Sequence, residues 1–441
     1  MTLKKIAINQ LLNMLILGLG GLGANGIHAQ NVQTTKLNFK NYLNAVEANS
    51  LELAAQRETI VSAEAGVGIA GIRPDPEFTY SASRETVKAI HPRPVSRGPS
   101  LSMTIETGGK RDARIKSARS NVTLTEATVA GFRQQLYSDS ALAFAEACRT
   151  RDVLERKEYT LKALSEIVRI NEVRRKAGDV GGIELLQSRV ERDQFRADVT
   201  QSRAEATSAR LELSLLLGRR VEDIFGQGAL ECSFTPFERG SDVATLIPEA
   251  LQSRQDVLIA RAALEHARDN ASLTRANRSV DPTVSLGVEA TRGYPGGFDN
   301  GGNAIDATSR SNVLALSITI PIPLSRLNRG DIVQAESAVT QAMLELNHAQ
   351  LKAESDVRTA HQRFMAAHEN VDHYRKDVLG NANRMLEGIR LSYRNGEASL
   401  LELLAAQRSA DEAYLAYLQS EADMAIATVQ LQLAIGEQPS L

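Results

Sequence analysis

The stretch RRKAGDVGGIELLQSR at residues 174–189 returns as YRNGEASLLELLAAQ at residues 393–407. In each, a glycine is followed six residues later by Glu-Leu-Leu: Gly178 with Glu184, Leu185 and Leu186, and Gly396 with Glu402, Leu403 and Leu404. The two sets are offset by 218 residues, and Gly218 and Gly436 keep that spacing. Upstream, Ile105 pairs with Ile322 and Ala118 with Ala335 at 217, while Asp75-Pro76 pairs with Asp281-Pro282 at 206. The jump from 206 to 217 places an insertion of about eleven residues in the second copy. Self-similarity at a fixed spacing decides the fold before any local reading does, so the chain is one structural unit written twice.

The division that follows is a leader over 1–29, a first repeat over 30–218, a connecting segment over 219–242 and a second repeat over 243–441. Each repeat runs helix, two β-like stretches, very long helix, short break, second helix. The expected limits are 38–72, 77–107, 112–176 and 183–217 in the first copy, and 243–279, 283–320, 331–394 and 399–435 in the second. The connecting segment, with Gly226, Gly228, Pro236 and Gly240, is too irregular for a long helix.

Apolar or small residues in the second long helix fall at Ile332, Ala335, Val339, Ala342, Leu346, Ala349, Ala353, Val357, Ala360, Phe364, Ala367, Val371, Tyr374 and Val378. Steps of three and four define a coiled-coil seam, with one extra four at 349–357 that unwinds it locally. Ile115, Ala118, Val122, Val129, Phe132 and Leu136 do the same in the first copy. At 1.5 Å per residue these helices are rods of roughly 100 Å. A period of two replaces this pattern at Val284, Leu286, Val288 and Ala290, at Leu314, Leu316, Ile318 and Ile320, at Phe78, Tyr80 and Ala82, and at Leu101, Met103 and Ile105. Four strands with one apolar face each match the dyad of an outer-membrane barrel. Four cannot close a barrel in lipid, where an open edge leaves backbone groups unpaired, so several copies must complete it together.

Composition agrees with long helices packed by small residues. The 441 residues include no Trp and 4% aromatics, and the net charge of −2 argues against nucleic acid as a partner. The leader has a basic start, a leucine-rich run over 11–22 and small residues up to Ala29, the pattern of a cleaved secretory signal. Its Gly18-Leu-Gly20-Gly-Leu-Gly23 fits a dinucleotide fingerprint but lacks the strand and helix that would make it one. Later segments are too short in apolar run for a spanning helix. Cys148 and Cys232 have no framework spacing and are read as two free buried thiols.

These features resemble the TolC-type outer-membrane efflux factors across essentially the whole mature chain. The stretches Glu106-Thr-Gly-Gly-Lys-Arg-Asp-Ala-Arg-Ile115 and Ser317-Ile-Thr-Ile-Pro-Ile-Pro-Leu324 are similar to the CzcC-like heavy-metal efflux subgroup. The resemblance implies a mainly α fold with a small β part. Three protomers would each give four strands to a twelve-stranded barrel in the outer membrane of a Gram-negative bacterium, and their helices would continue as a periplasmic tunnel. It also implies a homotrimer set in outer-membrane lipid. The partners would be a periplasmic adaptor and a resistance-nodulation-division inner-membrane pump. Divalent metal cations are the expected substrate, with drugs or polypeptides the alternative on the same fold. A periplasmic coiled-coil scaffold is the rival from another class.

The chemistry-bearing candidates then sort themselves. Gly108-Gly109-Lys110 lacks the first glycine and the Ser/Thr of a phosphate loop; with Pro321 and Pro323 it is read as a strand-to-helix turn. His361, His368 and His373, with Glu369 and Asp372, are read as a solvated helix face, so neither a metal site nor a cofactor is expected. Nucleophile–base constellations are not recognisable, and an enzyme is not expected. The paired breaks carry the expected function: Gly178 and Gly396 reverse the chain, and the leucines and the acids Asp179, Glu184, Glu397 and Glu402 form a gate and adaptor-docking edge. The residues leave these carboxylates unassigned between the lumen and the docking interface.

Overall fold

The computed structural model describes residues 36–440 except 85–94, 227, 235–236, 238–241, 294, 299–300 and 308; the leader expected over 1–29, with Pro236 and Gly240, lies outside these residues. In the first copy the expected helix over 38–72 is two helices, α1 (Phe39–Asn49) and α2 (Leu51–Ala70). Ser50 is the reason. Its amide still donates to Val46, but its ψ of 118° leaves the helix, and its hydroxyl accepts the Leu53 amide that starts α2. The chain continues through β1 (Glu77–Arg84), β2 (Val95–Thr104), α3 (Lys110–Ala177), α4 (Gly182–Leu217) and α5 (Val221–Phe225). The second copy opens with α6 (Val243–Ser253) and α7 (Gln255–Ala276), again two helices where one was expected, parted at Arg254 with ψ 132°. It goes on to β3 (Thr283–Thr291), a short ribbon of β4 (Gly297–Phe298) with β5 (Ala304–Ile305), and β6 (Ser311–Thr319). Last come α8 (Gly330–His373), α9 (Leu379–Arg394) and α10 (Leu400–Ile435).

The second long helix was expected to run unbroken over 331–394. It is instead divided by a π-helical turn, Tyr374–Val378, between α8 and α9. The extra seam step at 349–357 stays α-helical, with Ala353 and Val357 fully buried. Every seam position from Ile332 to Val371 is buried or half-buried within the protomer.

The four long strands make one antiparallel sheet in the order β1-β2-β3-β6. Cross-strand partners share a face, so the register sorts the side chains. One face stacks Phe78, Leu101, Leu286 and Leu316 in a row, beside Met103, Val284 and Ile318. The other stacks Thr79, Ser100, Gly287 and Ala315, then Ser102, Ser285 and Ser317, then Thr104, Thr283 and Thr319. Hydroxyls on this face bond across the strands, Thr104 to Thr283 at 2.9 Å and Ser96 to Thr291 at 2.8 Å. Within one protomer the apolar face is left uncovered, Phe78, Leu286 and Leu316 all being exposed. None of the described helices is long and apolar enough to cross a membrane.

Among the described residues, three apolar clusters hold the helices. The first gathers Phe39, Tyr42, Phe144, Leu213, Val221, Phe225 and Leu230 around α1 and α3, and the second gathers Leu246, Val357, Phe364, Leu431 and Ile435. The third, toward the glycine breaks, holds Leu164, Ile167, Leu386, Tyr393, Leu400 and Leu403. Two sequence readings are corrected here. Cys148 and Cys232 are not free thiols but a disulfide, with Cα atoms 5.8 Å apart. The cysteines are 84 residues apart, and the connecting segment is held near them by its neighbours: Leu37 bridges Leu230, Glu231 donates its amide to Leu37, and Arg151 of α3 donates to the Leu230 carbonyl. His361 is not solvated either. It is 8% exposed with both ring nitrogens unpartnered, and at offset 217 it stands where the first copy has Phe144, a core ring. The repeat register, applied to that histidine, points to burial.

Candidate functional site: the hairpin tips and the strand-to-helix turns

At the end of α3, Gly178 has φ +88°. Its amide donates to Arg175 and that of Asp179 to Arg174, which satisfies the last carbonyls of the rod. Gly396, φ +81°, repeats this with its amide on Tyr393 and that of Glu397 on Ser392. A β-carbon at either position meets open space, so the constraint is the left-handed backbone alone.

Beyond the turns the copies diverge. α10 starts with a capping box: Ser399 accepts the Glu402 amide, and the Glu402 carboxylate accepts the Ser399 amide at 2.7 Å. That amide and the Ser399 hydroxyl hold the Glu402 carboxyl below the ordinary glutamate range. α4 starts at Gly181 with no side-chain cap. Leu403 is buried and Leu404 half-buried, whereas Leu185 is half-buried and Leu186 is exposed. The two Leu-Leu pairs are equivalent in sequence and inequivalent in packing.

Four side chains then tie one tip to the other. The buried Tyr393 hydroxyl donates to Asn171 Oδ1 at 2.6 Å and lies 3.2 Å from Glu184 Oε1. Burial pushes the tyrosine pKa up, keeping the phenol protonated as a donor. Arg174 lies over its ring at 5.3 Å. Of the four acids in the sequence reading, Glu184 is therefore spent between the hairpins and Glu402 on its own helix cap. Asp179 and Glu397 are exposed beside Arg175, Lys176 and Arg394. Tyr393 and Asn171 escaped the sequence reading; the signal available was a tyrosine three residues before the glycine of one copy only.

The opposite ends of the rods are fixed as firmly. Gly108 has φ +65°, and a β-carbon there would fall 1.8 Å from Ser279 Oγ. Gly109 follows at φ +68° and precedes α3. Asp281 accepts the Thr107 amide at 2.9 Å and pairs with Lys110, while Arg111 and Arg114 donate to the carbonyls of Gly71, Ala70 and Ile72 at the end of α2. In the second copy Pro321 and Pro323 lead into a 3-10 turn, Leu324–Leu327, and Arg278 pairs with Asp331 at 2.6 Å. No group of three or more His, Cys, Asp or Glu among the described residues is placed to hold a metal ion.

Duplicated rods, a four-stranded sheet with one apolar face, and glycine-turned tips define the protomer of an efflux channel. Residues 42–219 and 246–437 match the outer membrane efflux protein family, and the chain belongs to it. It is 21% identical over 377 residues to the cobalt-zinc-cadmium resistance protein CzcC of Cupriavidus metallidurans, covering 85% of this chain and 84% of CzcC. It is 24% identical over 411 residues to the pyoverdine export outer membrane protein OpmQ of Pseudomonas aeruginosa, covering 88% and 81%. A solved structure of CusC superposes with a TM-score of 0.72 at 19% identity, over 91% of this chain and 93% of that one. The protein is an outer-membrane channel component of the TolC type, with a β-barrel in the membrane and a long helical extension into the periplasm.

Proposed function

We propose that the channel passively conducts divalent metal cations, handed over by a periplasmic adaptor and a resistance-nodulation-division pump, and that the hairpin tips are its gate. Tyr393 carries the gate reading. Its one hydroxyl proton is shared between Asn171, 222 residues away at 2.6 Å, and Glu184, 209 residues away at 3.2 Å, so parting the two hairpins must break this bond. The metal reading is supported by likeness to a cobalt-zinc-cadmium resistance protein over most of both chains. The comparable likeness to a pyoverdine exporter keeps siderophore or drug export as the second reading. A conduit needs no tight cation site, since cargo must leave as easily as it enters.

A deletion strain separates the substrates: we expect growth to fail at severalfold lower zinc, cobalt or cadmium and to be unaffected by dyes and antibiotics. The reverse pattern overturns the metal reading. For the gate, Tyr393→Phe keeps the ring under Arg174 and loses the hydroxyl bond. With about 1–1.5 kcal/mol lost per latch, the open population in planar bilayers should rise about tenfold. Unchanged conductance sinks the gate.

A further inference from the structure

The tip offset of 218 and the upstream offset of 217 differ by one residue, so the second copy holds one residue more between Ala335 and Gly396 than the first holds between Ala118 and Gly178. The only π-helical turn among the described residues, Tyr374–Val378, lies in that interval, while α3 is uninterrupted α-helix from Lys110 to Ala177. A π-turn is what one inserted residue makes of an α-helix, and such turns are common at functional sites. Packing changes at the same place. Above it, Val357 and Phe364 belong to the second apolar cluster; below it, Leu386 and Tyr393 belong to the third. None of the five π-turn residues is buried. Their polar contacts lie toward the surface, Lys376 with Asp372 at 2.7 Å, Asp377 with His373 at 3.4 Å and Arg375 with the half-buried Glu421 at 3.6 Å, and such pairs contribute little. Gly380 stands two residues beyond the turn, with open space where its β-carbon would stand; its counterpart in the first copy is Lys162. Glycine without a packing or dihedral reason in a helix loosens it.

We propose that the π-turn and Gly380 form the joint about which α9 and its tip swing, so that the second-copy hairpin bends while the first stays a single rod. The proposal rests on the tip-gate reading for its purpose and on local geometry for its existence, and the two are separable by experiment. In detergent-solubilised full-length trimers, backbone amides of 374–382 should exchange about tenfold faster than the repeat-related amides of 156–164. Gly380→Ala should slow them about fivefold and leave 388–400 unchanged. In bilayers, Gly380→Ala added to Tyr393→Phe should lower the open population gained by the latch variant, again about fivefold. Equal exchange in the two copies, or an open population raised by Tyr393→Phe that Gly380→Ala leaves undiminished, overturns the joint. Fast exchange at 374–382 that Gly380→Ala slows, with Tyr393→Phe silent in conductance, supports the joint and removes only the gate.

Discussion

Asp411→Ala is expected to destabilise the protomer by about 3–5 kcal/mol, because it strands a buried cation. The Asp411 side chain is 9% exposed, and its Oδ1 accepts Arg156 Nη2 at 2.7 Å, Arg156 Nε at 3.0 Å and the Thr160 hydroxyl at 2.8 Å. Gln407 donates to Oδ2 at 3.0 Å and accepts from Arg390 at 2.6 Å, so every member of the network is satisfied. Arg156 also lies over the Tyr414 ring at 4.4 Å. The network is the polar counterpart of the third apolar cluster: Arg156 and Thr160 come from α3, Asp411 and Gln407 from α10, and the carboxylate joins the two copies. Removing both charges tells specificity from stability. Asp411→Leu combined with Arg156→Met should recover most of the loss, since a well-packed apolar pair replaces a buried ion pair at little cost. Thermal unfolding of detergent-solubilised trimers is the measurement. A shift equivalent to less than about 0.5 kcal/mol for Asp411→Ala, typical of surface substitutions, would show the pair to be solvated in the assembly.

The repeat explains why so much of the architecture is legible in the residues. Periods of 3.5 and 2 depend on side-chain alternation along a single element, so the rods, the seam and the four strands follow from local pattern. The glycine turns follow because Gly178 and Gly396 occupy a backbone region with φ near +80° that other residues avoid. What escaped depends on distant partners. Tyr393 reaches Asn171 across 222 residues, and Cys148 reaches Cys232 because the connecting segment is carried back to α3 by Leu230 and Glu231. Nothing in their spacing encodes either meeting. The local bonds of the acids are another matter: counting charges near a turn does not show that Glu402 is the third residue of a capping box and Glu184 a hydrogen-bond acceptor. The breaks at Ser50 and Arg254 were blurred because apolar periodicity continues across a residue that leaves helical geometry at ψ alone.

Leu286→Arg and Ser285→Arg are expected to have opposite consequences although the residues are neighbours. In β3, Leu286 sits in the row with Phe78, Leu101 and Leu316, and Ser285 in the row with Ser102 and Ser317. In a closed barrel one face meets hydrocarbon and the other water. The leucine row has no covering partner in the protomer, and the face that holds the serine row carries hydroxyls that bond across strands, Thr104 to Thr283 and Ser96 to Thr291; the leucine row is therefore the lipid face. An arginine near mid-strand on that face costs about 2–4 kcal/mol per protomer, and three protomers bear it together in one barrel. Heat-resistant trimers of Leu286→Arg should be scarce in outer-membrane fractions. Ser285→Arg adds three cations to the lumen instead, so its trimers should assemble normally and conduct anions more readily than the parent channel. If Ser285→Arg is the variant that fails to assemble, the sheet faces the other way. If both assemble with unchanged conductance, these strands do not line a pore. The distinction is a single residue of register, because a strand's side chains alternate with period two and lipid accepts only one of the two sets.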